Sequence, residues 1–497
     1  MISNVTFRTE TLAEITTSST GMDEQEDRAD RHPKVQAEVK DDSLDEDLYQ
    51  DSLSQFPFLN GYADLLYAFQ TNADLPRDTI ITALRNTLRI ITDQIPLLAG
   101  QVVHVPRGAG NSGVYQPAPW PVDGPPNEIL RVKECDNLMP SMTQIMRASA
   151  PIAMLPGKIL TPWPSLPLPH GLEPPLPVIA AQANFIHGGL LLNMSMHHVA
   201  IDGAGLVQIM RLLSTVLSGR EIPAAELEQA NRDRRIVAPL LPQCEPVKDH
   251  SHLRRPPGYA PPLPKLPAKW CYFKVPLAGL PALRKAAAPA PRSGGPSLTV
   301  SDNDILCAFC WQRISAARLA RGMPADTVVK LTRAIDGRSA LGIPSSYLGH
   351  MIHHSIARLP LGRVASLPLS TVTQALRREL KAANTAWGLR SYATFVAREK
   401  DKSQLVYGGL RDVNVDLGAT SMVSSAGDEA ASAMPDMFGL LGRACFVRRS
   451  DAAPIVGTIV ITPAEGGSLP LALCLPEVDL EALKKDVAWR RYTRYIG

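Results

Sequence analysis

No uninterrupted apolar segment in these 497 residues is long enough to cross a bilayer, and the opening MISNVTFRTE lacks the basic-then-apolar profile of a secretory leader. A membrane-spanning helix is therefore not expected, and the chain reads as intracellular and cytoplasmic. Net charge is scarce too: 51 basic against 48 acidic residues leave only +3, which points away from nucleic acid and anionic membrane as partners. Seven cysteines scattered from Cys135 to Cys474 form no dense, even framework, so structural disulfides are not expected. Cys307 and Cys310 lie close together in SDNDILCAFCWQRISAAR, whose apolar spacing is helical. No second pair completes a zinc set, and they read as core thiols.

Several catalytic signatures are missing as well. GxxxxGK[ST] does not occur, so a P-loop is unsupported, and the absence of GxSxG argues against a serine hydrolase. A GxGxxG match exists at Gly108, Gly110 and Gly113, but no helix follows to offer its N-terminus to a pyrophosphate; it reads as a flexible hairpin loop. His350, His353 and His354 in GHMIHHSIAR have no carboxylate close behind them, and on an extended strand adjacent side chains point to opposite faces. No metal site is expected there.

What is present is a soluble composition, 45% hydrophobic and 20% charged, in a chain long enough for two domains of roughly 200 residues each. Residues 1–46 hold DEQED and DDSLDED with few large apolar groups and read as a disordered acidic tail. Next, DTIITALRNTLRIITDQ places Ile80, Leu84, Leu88 and Ile91 on one helical face behind a candidate Asp78 cap, and PLLAGQVVHV reads as turn and strand. The proline-loaded stretch 150–178 reads as extended loop on a surface, and PVIAAQANFIHGGLLLNMSM as a hairpin broken at Gly188 and Gly189. Residues 232–269 are the best linker in the chain. The organisation expected is thus an N-terminal domain over 47–231, a proline-rich crossover over 232–269 and a C-terminal domain over 270–497. Mixed strands and helices in both halves make the fold class α/β (α+β), two similar layered domains.

The chemistry concentrates in MSMHHVAIDGAG, Met194–Gly205. A histidine at a strand end, followed by a loop into the helix LVQIMRLLSTVL, presents its ring at an element edge, where clefts form. A neutral imidazole there can take a proton from an alcohol or amine attacking a carbonyl. Asp202 can fix the histidine tautomer, form an ion pair that shapes the loop, or cap the helix beginning near Gly203. Gly203 and Gly205 keep the turn free of β-carbons, so that a substrate or another backbone can approach. Read without those features, His197 and His198 are hydrogen-bonded residues at a strand end.

These residues resemble a family. His197-His198-Val199-Ala200-Ile201-Asp202-Gly203 is similar to the HHxxxDG signature of CoA-dependent acyltransferases of the BAHD type, of trichothecene 3-O-acetyltransferase-like fungal enzymes and of peptide-synthetase condensation domains. IPLLAGQV, VSDNDILCAFCWQRISAAR, AIDGRSALGIPSSYLGHMI and WRRYTRYIG resemble further segments of the first two groups, so the likeness spans about residues 48–497.

The resemblance implies a chloramphenicol-acetyltransferase-like fold with a solvent tunnel between the domains. A small-molecule acceptor, a secondary metabolite with a hydroxyl or amine, and acyl-CoA enter it from opposite faces. Acetyl-CoA is the default co-substrate, with no permanently bound cofactor, no metal, and a monomeric enzyme. His198 matches the general base, and Asp202 a residue that pairs with an arginine, for which Arg338 in DGRSAL is the candidate; His197 and Gly203 support the site. The family's second signature, Asp-Phe-Gly-Trp-Gly, is poorly kept. Its nearest match is Pro435-Asp436-Met437-Phe438-Gly439-Leu440-Leu441-Gly442-Arg443, with methionine where the aspartate is expected. Asp436, Phe438, Gly439 and Ser301 are the CoA-channel candidates. Two alternatives stay open: a condensation-like enzyme fed by a carrier-protein thioester, and a non-catalytic or cyclisation-steering binder on the same fold.

Overall fold

The apolar runs on either side of the proline-rich stretch build the first sheet. The computed structural model describes residues 51–71, 74–168, 172, 176–288, 298–422, 435 and 437–497; the acidic segment 1–46 and Asp436 lie outside the described residues. Its strands are β1 (Tyr62–Gln70), β2 (Gln101–Val105), β3 (Val114–Ala118), β4 (Leu130–Glu134), β5 (Leu176–Pro177), β6 (Ile179–Ile186), β7 (Gly189–His197) and β8 (Ala268–Pro276). There follow β9 (Val328–Asp336), β10 (Ile352–Pro360), β11 (Leu417–Ser421), β12 (Phe446–Arg448), β13 (Thr458–Ile461), β14 (Ser468–Pro476) and β15 (Arg494–Tyr495).

The first sheet runs β12-β1-β7-β6-β4 and is mixed: β7 is antiparallel to both β1 and β6, while β4 and β6 are parallel. Both faces are buried, which is why its strands read as near-continuous apolar runs. Leu65, Tyr67 and Phe69 of β1 and Leu192, Met194 and Met196 of β7 pack beneath two helices, Arg77–Gln94 and Gly203–Leu217. The alternate side chains, Leu66, Ala68 and Leu191, meet Leu155 and Leu160 of the proline-rich stretch. The described residues of that stretch are mostly loop, as expected, with one short 3-10 turn, a four-residue helix, Gly157–Leu160, and the two-residue strand β5.

The second sheet, β10-β9-β11-β13-β14-β8-β15, is also mixed, with β11 parallel to β9 and β13. Leu331, Ile459, Leu471 and Phe273 face Ile305, Phe309 and Cys310 of the helix Asp302–Ala320 and Val372 and Leu376 of the helix Leu369–Ala383. The ring of Trp489 closes this core, stacked on Phe309 and edge-on to Phe273, each with centroids 5.3 Å apart. A third, small sheet is β3-β2-β5; the loop joining β2 and β3 carries Gly108, Gly110 and Gly113, all with positive φ, as a hairpin loop should. Strand β12 belongs by sequence to the second half yet completes the first sheet beside β1. The class is α/β (α+β), as expected.

Some elements differ from expectation. The helix carrying Ile80, Leu84, Leu88 and Ile91 starts at Arg77 after Pro76, so Asp78 sits in its first turn and is not its cap. A helix expected over 370–385 is present as Leu369–Ala383, and a further helix, Ala386–Arg398, follows it, capped by Thr385, which accepts a hydrogen bond from Gly388. Among the described residues no helix is long and apolar enough to cross a membrane, and the seven cysteines, Cys307 and Cys310 included, carry no disulfide.

Candidate active site

Strand β7 ends at His197, and there the two histidines part. His197 still belongs to the sheet, its N–H donating to Val178 at 2.9 Å, and its ring is fully buried edge-on to Tyr62, centroids 5.2 Å apart. Neither ring nitrogen has a hydrogen-bond partner, and burial, helped by the neighbouring His198, pushes its pKa down to about 3. His197 is a neutral packing residue.

His198 leaves the strand. Its N–H donates to the Gly61 carbonyl at 2.8 Å, and the chain turns immediately, with Ala200 and Ile201 both donating to the His197 carbonyl. The ring is only partly buried, and its Nδ1 is sealed without a hydrogen-bond partner of good geometry. Burial holds its pKa below the ordinary imidazole value, against the opposing pull of its own backbone oxygen, the Asp202 charge and the Ile201 backbone. The imidazole is therefore neutral at neutral pH.

Asp202 does two of the three things its position allowed. Oδ1 accepts from the Gly205 N–H at 2.9 Å and caps the helix Gly203–Leu217. The same carboxylate takes a bidentate grip from Arg338, Nη1 to Oδ2 at 2.8 Å and Nη2 to Oδ1 at 2.9 Å, and Oδ2 also accepts from the Met351 N–H at 2.9 Å. With four bonds the carboxylate is saturated and has nothing left for the His198 ring. Arg338 is saturated too, since Nε reaches the Tyr347 carbonyl and the remaining two N–H groups reach Asp336 and the Gly349 carbonyl. Burial alone would raise the Asp202 pKa; the guanidinium outweighs it and holds the carboxyl below its usual range.

The segment Arg338–Met351 thus clamps the turn after His198 from the other half of the chain. Gly205 permits the closest approach: a β-carbon there would stand 2.4 Å from the Leu348 carbonyl oxygen. Gly203 is different, for a β-carbon would meet only the Met422 side chain at 3.8 Å, so it leaves room and does not admit a neighbouring backbone. Two partners were not readable in the sequence. Arg234, which had looked like linker charge, donates to the Ala200 carbonyl at 2.7 Å and pairs with Asp51. His350 donates from Nδ1 to the His198 carbonyl at 3.1 Å. Neither position stands in a local pattern that would have pointed to the turn.

The remaining candidates lie apart. Phe438 is fully buried, edge-on to Tyr67 and Phe69, and Gly439 (φ 52°) abuts the last turn of the helix Gly203–Leu217, where a β-carbon would fall 1.9 Å from the Leu217 carbonyl. That is the end of the helix opposite His198, about 20 Å along its axis. Ser301 caps the helix Asp302–Ala320 in a reciprocal box with Asp304, so its hydroxyl is engaged. Among the described residues no cluster of three or more metal-binding side chains occurs; His353 and His354 instead bond Asn384 and the Tyr392 hydroxyl.

The buried rings carry a stability prediction. His197 and His350 are pushed down to about 3 and His353 to about 4, in each case first by burial. Groups with depressed folded pKa values contribute stability that is present above the unfolded value, about 6.5, and is lost as pH falls toward the folded values. Between pH 7 and pH 4.5 the unfolding free energy from denaturant titration is expected to drop by several kcal/mol, up to about 8, at ~1.4 kcal/mol per pH unit below about 6.5 for each of the three imidazoles. The slope in His197→Phe should be shallower by about one proton. A pH-independent stability over this range would mean that the rings are not held neutral.

Comparison with known proteins agrees with the architecture. Residues 62–216 match the model of the trichothecene 3-O-acetyltransferase-like N-terminal domain, and residues 166–489 that of the Transferase family. The chain is 41% identical to O-acetyltransferase SAT5 of Stachybotrys chartarum, over 90% of this chain and 96% of that one. It is 39% identical to O-acyltransferase pigD of Monascus ruber, over 90% and 98%. Among solved structures, F. graminearum TRI101 complexed with coenzyme A and deoxynivalenol superposes with a TM-score of 0.82 at 26% identity, covering 90% of this chain and 99% of that one.

Proposed function

The chain belongs to the Transferase family, with a trichothecene 3-O-acetyltransferase-like N-terminal domain, and is an acyltransferase; from that premise we propose that His198 is the general base for acyl transfer from acyl-CoA to a hydroxyl of a small secondary-metabolite acceptor. The observation that carries this reading is a neutral, partly exposed imidazole, its Nδ1 sealed without a partner, held in a turn clamped from both halves of the chain. The relatives are named for O-acyl transfer, which favours hydroxyl over amine, and acetyl is the default group because it asks least of pocket volume.

In this mechanism Nε2 takes the acceptor proton as the oxygen attacks the thioester carbonyl. The tetrahedral intermediate then expels the CoA sulfur, which takes the proton back from the imidazolium. The proton thus passes from the acceptor oxygen through the imidazole to the CoA sulfur, the electron pair of the broken C–S bond leaves with that sulfur, the histidine is regenerated, and no acyl-enzyme forms. Asp202 and Arg338 act by holding the turn. Donor and acceptor meet in a channel between the 47–231 and 270–497 domains, joined by the 232–269 crossover, in a cytoplasmic monomer. Phe438 and Gly439 bear on the donor side through packing, since Phe438 is sealed from any ligand, with Ser301 and Asp436 the other donor-side candidates.

The test is direct. The purified protein incubated with acetyl-CoA and a secondary-metabolite extract should release CoA and yield a product heavier by one acetyl unit in mass spectrometry. Turnover with a carrier-protein thioester and none with any free acyl-CoA would overturn the donor assignment. Extract components that bind without transfer from either donor would overturn the enzyme reading of this site.

A further inference from the structure

His350 is the one imidazole of GHMIHH that reaches the His198 turn. It is 1% exposed, its ring centroid lies 5.3 Å from that of His198, and its Nδ1 stands 3.1 Å from the His198 carbonyl oxygen. A carbonyl can only accept, so the proton of His350 is on Nδ1. That leaves Nε2 as a bare lone pair, and Nε2 is buried without a partner. A buried, unsatisfied nitrogen is costly and calls for a compensating role for the ring.

The carbonyl that His350 holds is no ordinary one. It is also the backbone oxygen whose proximity to the His198 ring favours the protonated form. With its N–H tied to Gly61 and its C=O tied to His350, the two peptide units flanking the base are pinned, one from the first half of the chain and the other from the second. We infer that His350 is a positioning residue for His198: its Nδ1–H fixes the carbonyl of the base's own residue, and with it the turn that holds the imidazole where it accepts the proton. This rests on His198 being the base.

The test uses three substitutions that separate donation from bulk. Asparagine places an amide N–H where Nδ1 stands, glutamine places it where Nε2 stands, and phenylalanine keeps a ring with no donor. In the acyl-CoA assay, His350→Phe and His350→Gln should lower kcat on the order of 10²-fold, the scale of a displaced catalytic group, with little change in KM for either substrate. His350→Asn should restore kcat to within a few-fold of the parent. Thermal unfolding of all three is measured alongside, and if the phenylalanine variant does not fold, the glutamine and asparagine pair carries the comparison. Near-parental kcat in the glutamine variant, or an asparagine variant as impaired as the glutamine one while both stay folded, would overturn the inference. Failure of the underlying reading looks different, because His198→Ala would then keep its activity in the same assay.

Discussion

Replacing His198 by alanine is expected to lower kcat by about a hundred- to ten-thousand-fold, the usual contribution of a positioned general base, while leaving the melting temperature nearly unchanged. Both parts follow from the position of the side chain. The ring is partly exposed, its Nδ1 makes no hydrogen bond of good geometry, and the backbone bonds to Gly61 and His350 survive truncation. KM for acyl-CoA should move little, because the imidazole acts on the acceptor proton and does not grip the donor. The parent enzyme adds a pH signature. Since burial holds the His198 pKa below 6.5, the acid limb of kcat/KM should fall below that pH, and activity should persist into mildly acidic buffer. Retention of near-parental CoA release with the true acceptor in the alanine variant would refute the assignment, and an acid limb above pH 6.5 would refute the depressed pKa.

The second large effect is structural. Arg338→Met should cost about 3–5 kcal/mol of stability, because it strands the Asp202 carboxylate in a fully buried place without its counter-charge. The carbonyls of Tyr347 and Gly349 lose their donors at the same time. Adding Asp202→Asn should recover part of the loss, since the amide removes the stranded charge, so the double variant should be more stable than the sum of the singles predicts. Denaturant unfolding of the four proteins measures this. Strict additivity, or a loss below about 1 kcal/mol in Arg338→Met, would show that the pair is not the buried clamp described above. Activity should fall with stability in the arginine variant, because the clamp and the His198 turn are one joint.

Much of the fold is legible in the chain because burial imposes periodicity. The run from Ile179 to Met196 is mostly apolar because both faces of its sheet are covered, and Ile80, Leu84, Leu88 and Ile91 repeat at the helical spacing because one face of their helix is. Punctuation was less readable. The helix Ala386–Arg398 was not anticipated, because its start is decided by the single side chain of Thr385, and Pro76 displaced Asp78 from the capping position. The His198 turn was legible for a different reason: paired histidines, an aspartate and two glycines stand within nine residues, so their order is covalent. Its partners were not. Arg338, 136 residues from Asp202, was identified only through resemblance to a family, and His350 and Arg234 drew attention for other reasons or none.

What the amino-acid order determined by itself is therefore whatever depends on neighbours along the chain: strand and helix periods, the strand–turn–helix at MSMHHVAIDGAG, and the residue types able to exchange a proton there. Which histidine is sealed and which is open, what neutralises Asp202, and what holds the carbonyl of His198 were decided only when Arg338–Met351 folded against that turn. Burial, ion pairing and hydrogen bonding across more than a hundred residues depend on distances in space, and separation in sequence leaves no periodic trace of them.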